Sequence, residues 1–164
     1  MEIRKYKTGD DFAAISRIYA MSWKRAYRGI VPDAYLEALK ENRWETLLQK
    51  ECDNLILAVD GAEIIGAATY GAARGKKYHG WGEVVSVYLL PAAFRRGIGS
   101  RLLRRACKEL ENLGYSQVYL WVLTENTAAR RFYEANGFRC NGDTIICEIG
   151  GKALKETRYL YDGK

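Results

Sequence analysis

The feature that most constrains the fold is a short loop between an apolar strand and an amphipathic helix. Residues 83–90 are apolar at almost every position, which is typical of a central strand covered on both faces. The loop after Pro91 contains RRGIGS at residues 95–100. Apolar positions then recur every three or four residues, so the pattern predicts a helix that Gly97 opens and Gly114 ends.

A helix entered through such a loop is suited to binding an anion. The first amides of a helix have no partner within it, and the helix dipole places about half a positive charge there. Gly97 and Gly99 let a phosphate approach the backbone, while Arg95 and Arg96 supply charged donors. The loop therefore predicts a pyrophosphate site, the alternative being a glycine-rich turn flanked by solvated arginines. Leu102 stands where a dinucleotide fingerprint needs glycine.

The rest of the chain mixes strands and helices without a strict repeat. Hydrophobic patterns predict strands near residues 3–6, 55–59, 64–70, 83–90, 117–122, 138–149 and 154–161. Helices are predicted after Asp10 or Asp11, in one or two segments beyond Pro32, from Gly97 and from Asn126. This order predicts an α/β (α+β) fold with a mixed, mostly antiparallel sheet of about seven strands and about four flanking helices. No linker interrupts residues 1–164, so we expect one domain.

Composition restricts the chemistry. The single histidine, His79, excludes sites with several histidine ligands, and the four cysteines contain no CxxC pair, so we expect no metal. The net charge of +6 suits an anionic ligand. The sequence shows no nucleic-acid-binding motif, signal segment or membrane-spanning run. We therefore expect a cytoplasmic protein with no nucleic-acid or membrane partner.

Two linked segments resemble one known family. Residues 84–91 (VVSVYLLP), followed by RGIGS at 96–100, resemble the central motif of the GNAT acetyltransferase superfamily. Residues 126–138 resemble its later N-x-x-A-x-x-F-Y-x-x-x-G-F block, and the spacing between the blocks is also similar. The resemblance implies a GNAT fold and a bacterial-type N-acetyltransferase that uses acetyl-CoA. A non-catalytic module that binds CoA or acyl-CoA is the alternative.

The resemblance also implies which residues hold acetyl-CoA. These are Val87, Tyr88, Leu89, Arg95, Arg96, Gly97, Ile98, Gly99, Ser100, Asn126 and Arg130. Strand amides near residues 87–89 are expected to polarise the thioester carbonyl and to hold the pantetheine arm. Phe94 departs from the family pattern, which usually has Gln or Arg there, and Arg95 is the expected substitute.

Tyr133 is the candidate general acid. On a helix, Asn126, Arg130 and Tyr133 share one face, which is suited to line a site, and Ala128, Phe132 and Ala135 share a predicted core face. The resemblance implies that Tyr133 protonates the leaving thiolate. A phenol with a pKa of about 10 carries its proton at neutral pH. The alternative is a half-buried tyrosine on a surface helix.

Glu83 is the candidate general base. It begins an apolar strand, where partial desolvation would raise the pKa of its carboxyl, and the resemblance implies a catalytic glutamate at this position. The alternative is a solvated glutamate at the strand edge.

The acceptor is less specified. The resemblance places Trp23 and Tyr27 on the acceptor side, with Tyr70 as a further candidate; all three are equally consistent with core positions. A small-molecule or peptide amine is expected, and a protein N-terminus, lysine, polyamine or aminoglycoside all remain open. A homodimer is compatible with the sequence.

Overall fold

The computed structural model describes residues 1–163. Its seven strands are β1 (Glu2–Lys5), β2 (Leu55–Asp60), β3 (Glu63–Ala72), β4 (Gly82–Leu89), β5 (Val118–Leu123), β6 (Phe138–Ile149) and β7 (Lys152–Tyr161). They form one sheet in the order β1-β2-β3-β4-β5-β7-β6. Only the β4–β5 pair is parallel among these described strands. The predicted mixed, mostly antiparallel seven-stranded sheet is confirmed.

Five α-helices accompany the sheet, where the sequence predicted about four. They are α1 (Phe12–Ala26), α2 (Asp33–Ala38), α3 (Glu45–Lys50), α4 (Ile98–Asn112) and α5 (Thr127–Ala135). The segment after Pro32 forms two helices because Leu39, at the end of α2, adopts an extended conformation with φ −63° and ψ 117°. At the start of α1, the Asp11 side chain accepts a hydrogen bond from the amide of Ala13, which satisfies one unpaired donor.

The core lies on both faces of the sheet. On one face, α4 packs against Ile56 and Ala58 of β2; on the other, α1 and α3 pack against Leu55 and Leu57 of the same strand. Successive strand residues point to opposite faces, so a run of apolar residues is what a strand covered on both sides requires. Cys107 lies in the α4 core, as its position on the apolar stripe predicts, and His79 is exposed.

The central strands β4 and β5 separate soon after they begin. Their register pairs only Gly82 with Val118 and Glu83 with Tyr119, although both strands continue well beyond these positions. On the β3 side, a register shift leaves Val85 of β4 without a partner, which is a β-bulge. The separation of β4 from β5 opens a cleft within the sheet, and this cleft holds the candidate site.

Candidate active site

A cavity of about 930 Å³ occupies the cleft between the diverging strands. Its walls are formed by residues 85–89 of β4, residues 121–123 of β5, one side of α1 and of α3, the N-terminal end of α4, and α5 as far as Tyr133. A cavity of this size is large enough for a cofactor-sized ligand.

The N-terminus of α4 leaves its first amides free. Gly97 precedes the helix with φ 73° and no side chain caps the first turn. Arg95 also has a positive φ, 59°, so the backbone enters the helix through two left-handed residues. A Cβ on Gly99 would lie 3.3 Å from the Phe132 ring, which shows how closely α5 approaches this loop. Free amides, glycine backbone and the Arg95 guanidinium together fit a pyrophosphate group.

Most of the residues that the resemblance implied for acetyl-CoA line this cavity. They are Val87, Tyr88, Leu89, Arg95, Gly97, Gly99, Ser100 and Asn126. The Asn126 side chain is already used as a helix cap, since its oxygen accepts a hydrogen bond from the amide of Ala129. Phe94 also lines the cavity, so an aromatic ring stands where the family usually has a polar side chain.

Three of the predicted cofactor residues lie elsewhere. Arg96 forms an ion pair with Asp60, at 3.6 Å. The Ile98 side chain is buried in the α4 core, although its amide belongs to the free first turn. Arg130 donates to the Tyr159 hydroxyl at 2.9 Å and to the carbonyl of Thr124 at 3.2 Å, because its side chain extends toward β7. The side chains of Arg96 and Arg130 are therefore already occupied.

Tyr133 faces the cavity as predicted. Its ring packs edge-on against Phe132 and Phe138, with centroid distances of 5.2 and 6.0 Å. Burial, reinforced by Tyr88, raises the pKa of Tyr133 well above its ordinary value, so the phenol keeps its proton throughout the neutral range.

The predicted core face of α5 is confirmed only for Phe132, which packs against the core under α4 and also lines the cavity. Ala128 lines the cavity and is exposed, and Ala135 is exposed as well. The predicted polar face is also divided, since Arg130 turns away from Tyr133 toward β7.

Aromatic side chains from α1 form the wall opposite α5. The Trp23 indole donates a hydrogen bond to the Tyr88 hydroxyl at 3.0 Å, and the hydroxyls of Tyr27 and Tyr88 lie 3.5 Å apart. Burial is the main cause that raises the pKa of both Tyr27 and Tyr88. Trp23 and Tyr27 thus line the cavity. Tyr70 does not, because it is only 3% exposed and belongs to the core under α4.

Glu83 lies behind the cavity wall and not in it. Its carboxylate is 1% exposed and receives hydrogen bonds from the Arg74 guanidinium, with a shortest distance of 2.6 Å, and from the Arg74 amide at 3.0 Å. The Tyr119 hydroxyl donates to the same carboxylate at 3.1 Å. A carboxylate this fully engaged has little capacity to accept a further proton, so the geometry does not favour the predicted role as a direct base. The solvated alternative is also excluded by the burial.

Sequence reasoning missed Glu156, a carboxylate that does line the cavity. It lies on β7 opposite Leu123 of β5, so its side chain enters the cleft from the side away from β4. Burial raises the pKa of Glu156, Arg74 lowers it and Glu83 raises it further. No motif surrounds this residue; the available signal was an acidic residue inside a strand that is otherwise buried at residues 154 and 157–159.

Residues 1–163 contain neither a group of metal-binding side chains nor a helix suited to cross a membrane. Across residues 1–163, no three His, Cys, Asp or Glu side chains are grouped so that they could hold a metal ion. None of the helices in this part of the chain has the length and apolarity needed to cross a membrane.

The geometry agrees with what comparison to known proteins shows. A family model described as "Acetyltransferase (GNAT) family" matches residues 14–138, which is more than half of the chain. The chain therefore belongs to the GNAT acetyltransferase family, as its two motifs predicted, and the expected GNAT fold is confirmed.

Particular relatives can also be named. The chain is 28% identical over 152 residues to the uncharacterized N-acetyltransferase YuaI of Bacillus subtilis, covering 90% of this chain and 85% of that protein. It is 29% identical over 160 residues to a spermidine N(1)-acetyltransferase of Thermoplasma acidophilum, covering 90% and 96%.

Solved structures share the same fold. The PaiA N-acetyltransferase of Thermoplasma acidophilum in complex with coenzyme A superposes with a TM-score of 0.70 at 24% identity, over 96% of this chain and 98% of that one. A ribosomal-protein-alanine N-acetyltransferase of Brucella melitensis gives a TM-score of 0.76 at 19% identity, over 98% of each chain.

Proposed function

We propose that this protein transfers an acetyl group from acetyl-CoA to a primary amine, by direct attack of the amine nitrogen on the thioester. The observation that carries the proposal is that the free N-terminus of α4 and the Tyr133 hydroxyl open onto one cavity. The family membership and the N-acetyltransferase relatives, one of them named for spermidine, support the same reaction class. The proposal includes a cytoplasmic protein with one domain over residues 1–164.

The cofactor side is built mainly from backbone. Acetyl-CoA, when bound, supplies an activated acetyl thioester. The first-turn amides of α4, at residues 98–100, together with Arg95, hold the pyrophosphate. Residues 87–89 of β4 have no partner on the β5 side, so their backbone is free to orient the pantetheine arm and the thioester carbonyl.

Tyr133 holds the proton that the leaving sulfur requires. Since its raised pKa keeps the hydroxyl protonated, Tyr133 donates that proton to the sulfur as the carbon–sulfur bond breaks. Without that proton the sulfur would leave as a thiolate, the conjugate base of a thiol with an ordinary pKa of about 8.5. Protonation makes the sulfur a better leaving group. Glu83 acts one step further away, by fixing the Arg74 guanidinium that lines the cavity.

The proposal is tested by mixing the protein with acetyl-CoA and a panel of amines while free thiol is followed with a thiol-reactive dye. The panel contains spermidine, butylamine, lysine and a peptide with a free N-terminus. We expect thiol release that depends on the amine, with an acetylated product in the mass spectrum. Binding of acetyl-CoA without thiol release on any amine would instead support the non-catalytic CoA-binding module.

A further inference from the structure

The Glu156 carboxylate lines the cavity and has no hydrogen-bond or ion-pair partner among the described residues. It takes part in no ion pair or side-chain hydrogen bond within residues 1–163, although its side chain is largely buried. Within residues 1–163, the only fully buried side-chain nitrogen or oxygen without a hydrogen-bond partner belongs to Arg158. The carboxylate oxygens of Glu156 are therefore not fully buried. Glu51 also lines the cavity, but it is exposed to solvent.

This situation contrasts with that of the neighbouring carboxylate. Glu83 is completely buried and receives hydrogen bonds from both Arg74 and Tyr119. A desolvated carboxylate without such donors is unfavourable unless a cation reaches it. Among the described residues, the cation that interacts with Glu156 is Arg74, and its guanidinium is held by Glu83. A further cation can reach Glu156 through the cavity, which its side chain lines.

We propose that Glu156 binds the ammonium group of the amine acceptor and takes up its first proton. This inference rests on the proposed acetyl transfer and assigns the acceptor-binding group of the same cavity. It also assigns the base that Glu83 is too engaged to provide. The acceptor class that follows is a primary alkylamine, which carries a positive charge at neutral pH.

The surroundings of Glu156 favour a proton transfer there. An alkylammonium group has a pKa of about 10.4, so only about one molecule in two to three thousand is neutral at pH 7. In the transfer, an N–H bond breaks, its electron pair stays on nitrogen, and an O–H bond forms on the carboxylate. Burial makes Glu156 a better proton acceptor than a free glutamate, because it raises the pKa of the carboxyl.

The groups that face Glu156 come from several elements. Arg74 precedes β4, Glu83 and Tyr88 belong to β4, Tyr27 belongs to α1, and Cys147 belongs to β6. Burial raises the pKa of both tyrosines and of the Cys147 thiol, so these three groups stay neutral in the range where Glu156 titrates. Arg74 and Glu83 form an ion pair with each other.

The first test measures amine binding without turnover. Butylamine is titrated by calorimetry into the protein saturated with coenzyme A at pH 7, for wild type, Glu156→Gln and Glu148→Gln. Glu148 is the matched control, because it is an exposed glutamate of the same β6–β7 hairpin and lies outside the cavity. We expect binding at least tenfold weaker in Glu156→Gln and within twofold of wild type in Glu148→Gln. Equal binding by all three proteins would overturn the inference.

The second test follows kcat/KM for the amine against pH. We expect Glu156→Gln to lower it by about 100-fold and to remove the acidic limb that the carboxyl sets, leaving only the ionisation of the amine itself, whose pKa is about 10.4. Glu156→Asp should recover part of the activity, and KM for acetyl-CoA should stay within about twofold of wild type. A full acidic limb in Glu156→Gln would refute the base assignment. Absence of turnover in wild type would refute the proposed function, while the calorimetry would still decide whether Glu156 binds the ammonium group.

Discussion

The two walls of the cleft are built from different materials. The wall to which we assign the cofactor, the cofactor wall, is mainly backbone: free amides at the start of α4, left-handed residues at 95 and 97, and a length of β4 that β5 does not pair. The wall to which we assign the amine, the acceptor wall, consists of side chains, Trp23 and Tyr27 from α1 and Glu156 from β7. The cofactor wall uses backbone amides and carbonyls, which nearly every residue has. The acceptor wall depends on the identity of the side chain at each position.

This difference explains what each wall is suited to. Backbone amides recognise a phosphate or a carbonyl whatever the neighbouring side chains are, which is appropriate for a cofactor shared by a whole family. Side chains contributed by distant segments can be exchanged one at a time, so the acceptor can differ between members with the same fold.

The largest effect is expected for Tyr133→Phe, which removes one hydroxyl from the junction between the walls. Loss of the proton donor should lower kcat by about 100-fold or more and leave KM for acetyl-CoA within about twofold. Steady-state kinetics with the best amine measures both constants. Tyr161→Phe is the control, since Tyr161 packs against Phe138 outside the cavity. Unchanged turnover in Tyr133→Phe would remove the general acid from the proposal.

The next effect concerns the backbone wall alone. Gly97→Ala forces a Cβ into a left-handed conformation and should weaken acetyl-CoA binding about tenfold through the altered loop, corresponding to the 1–2 kcal/mol cost of roughly one such residue. Gly142→Ala is the matched control, because Gly142 also has a positive φ, 84°, with open space around it, but lies on β6. Both variants should lose similar stability, and only Gly97→Ala should bind acetyl-CoA more weakly by calorimetry. Equal binding by both would contradict the backbone site.

A smaller effect is expected for Glu83→Gln, which separates positioning from proton transfer. Arg74 would lose its charged partner and shift within the cavity, so kcat/KM for the amine should fall by only about three- to tenfold. The acidic limb of the pH profile should remain, because Glu83 does not face the cavity. Loss of that limb in Glu83→Gln, with its retention in Glu156→Gln, would restore Glu83 as the base.

The smallest effect is on stability. The folded state raises the pKa of Glu156, so the carboxylate destabilises the fold increasingly as the pH rises from the unfolded pKa of a glutamate, about 4.3, through the raised folded pKa. Glu156→Gln should therefore have a higher Tm than wild type at pH 8, and the difference should vanish as the pH falls to about 3, below both pKa values. Thermal unfolding at both pH values, with Glu148→Gln for comparison, measures this. A lower Tm at pH 8 would show that Glu156 has a stabilising partner.

The sequence was most informative where function is encoded locally. Gly97, Gly99 and Tyr133 lie in short motifs whose spacing is fixed by one loop or one helix, and all three line the cavity. The sequence predicted Arg130 on the same face as Tyr133, because helical spacing specifies the face of a helix on which a residue lies. It does not specify where a long side chain ends, and the Arg130 guanidinium extends to Tyr159 of β7.

The acceptor wall could not be predicted in the same way. Glu156 faces the cavity because β7 pairs with β5 at a register that brings it opposite Leu123, and no local pattern specifies that pairing. Likewise, Glu83 matched a catalytic position by spacing, but its engagement depends on Arg74, which is nine residues earlier in the chain and meets it only in the folded sheet.

The separation of β4 and β5 has one more consequence. The sheet is almost divided into two parts. One part contains β1–β4 and the other contains β5, β7 and β6, and the register joins them at only two residue pairs between β4 and β5. A molecule bound in the gap would contact both parts of the sheet. We therefore expect cofactor binding to increase the cooperativity of unfolding. Amides of β6, remote from the cavity, should exchange their hydrogens more slowly when the gap is filled.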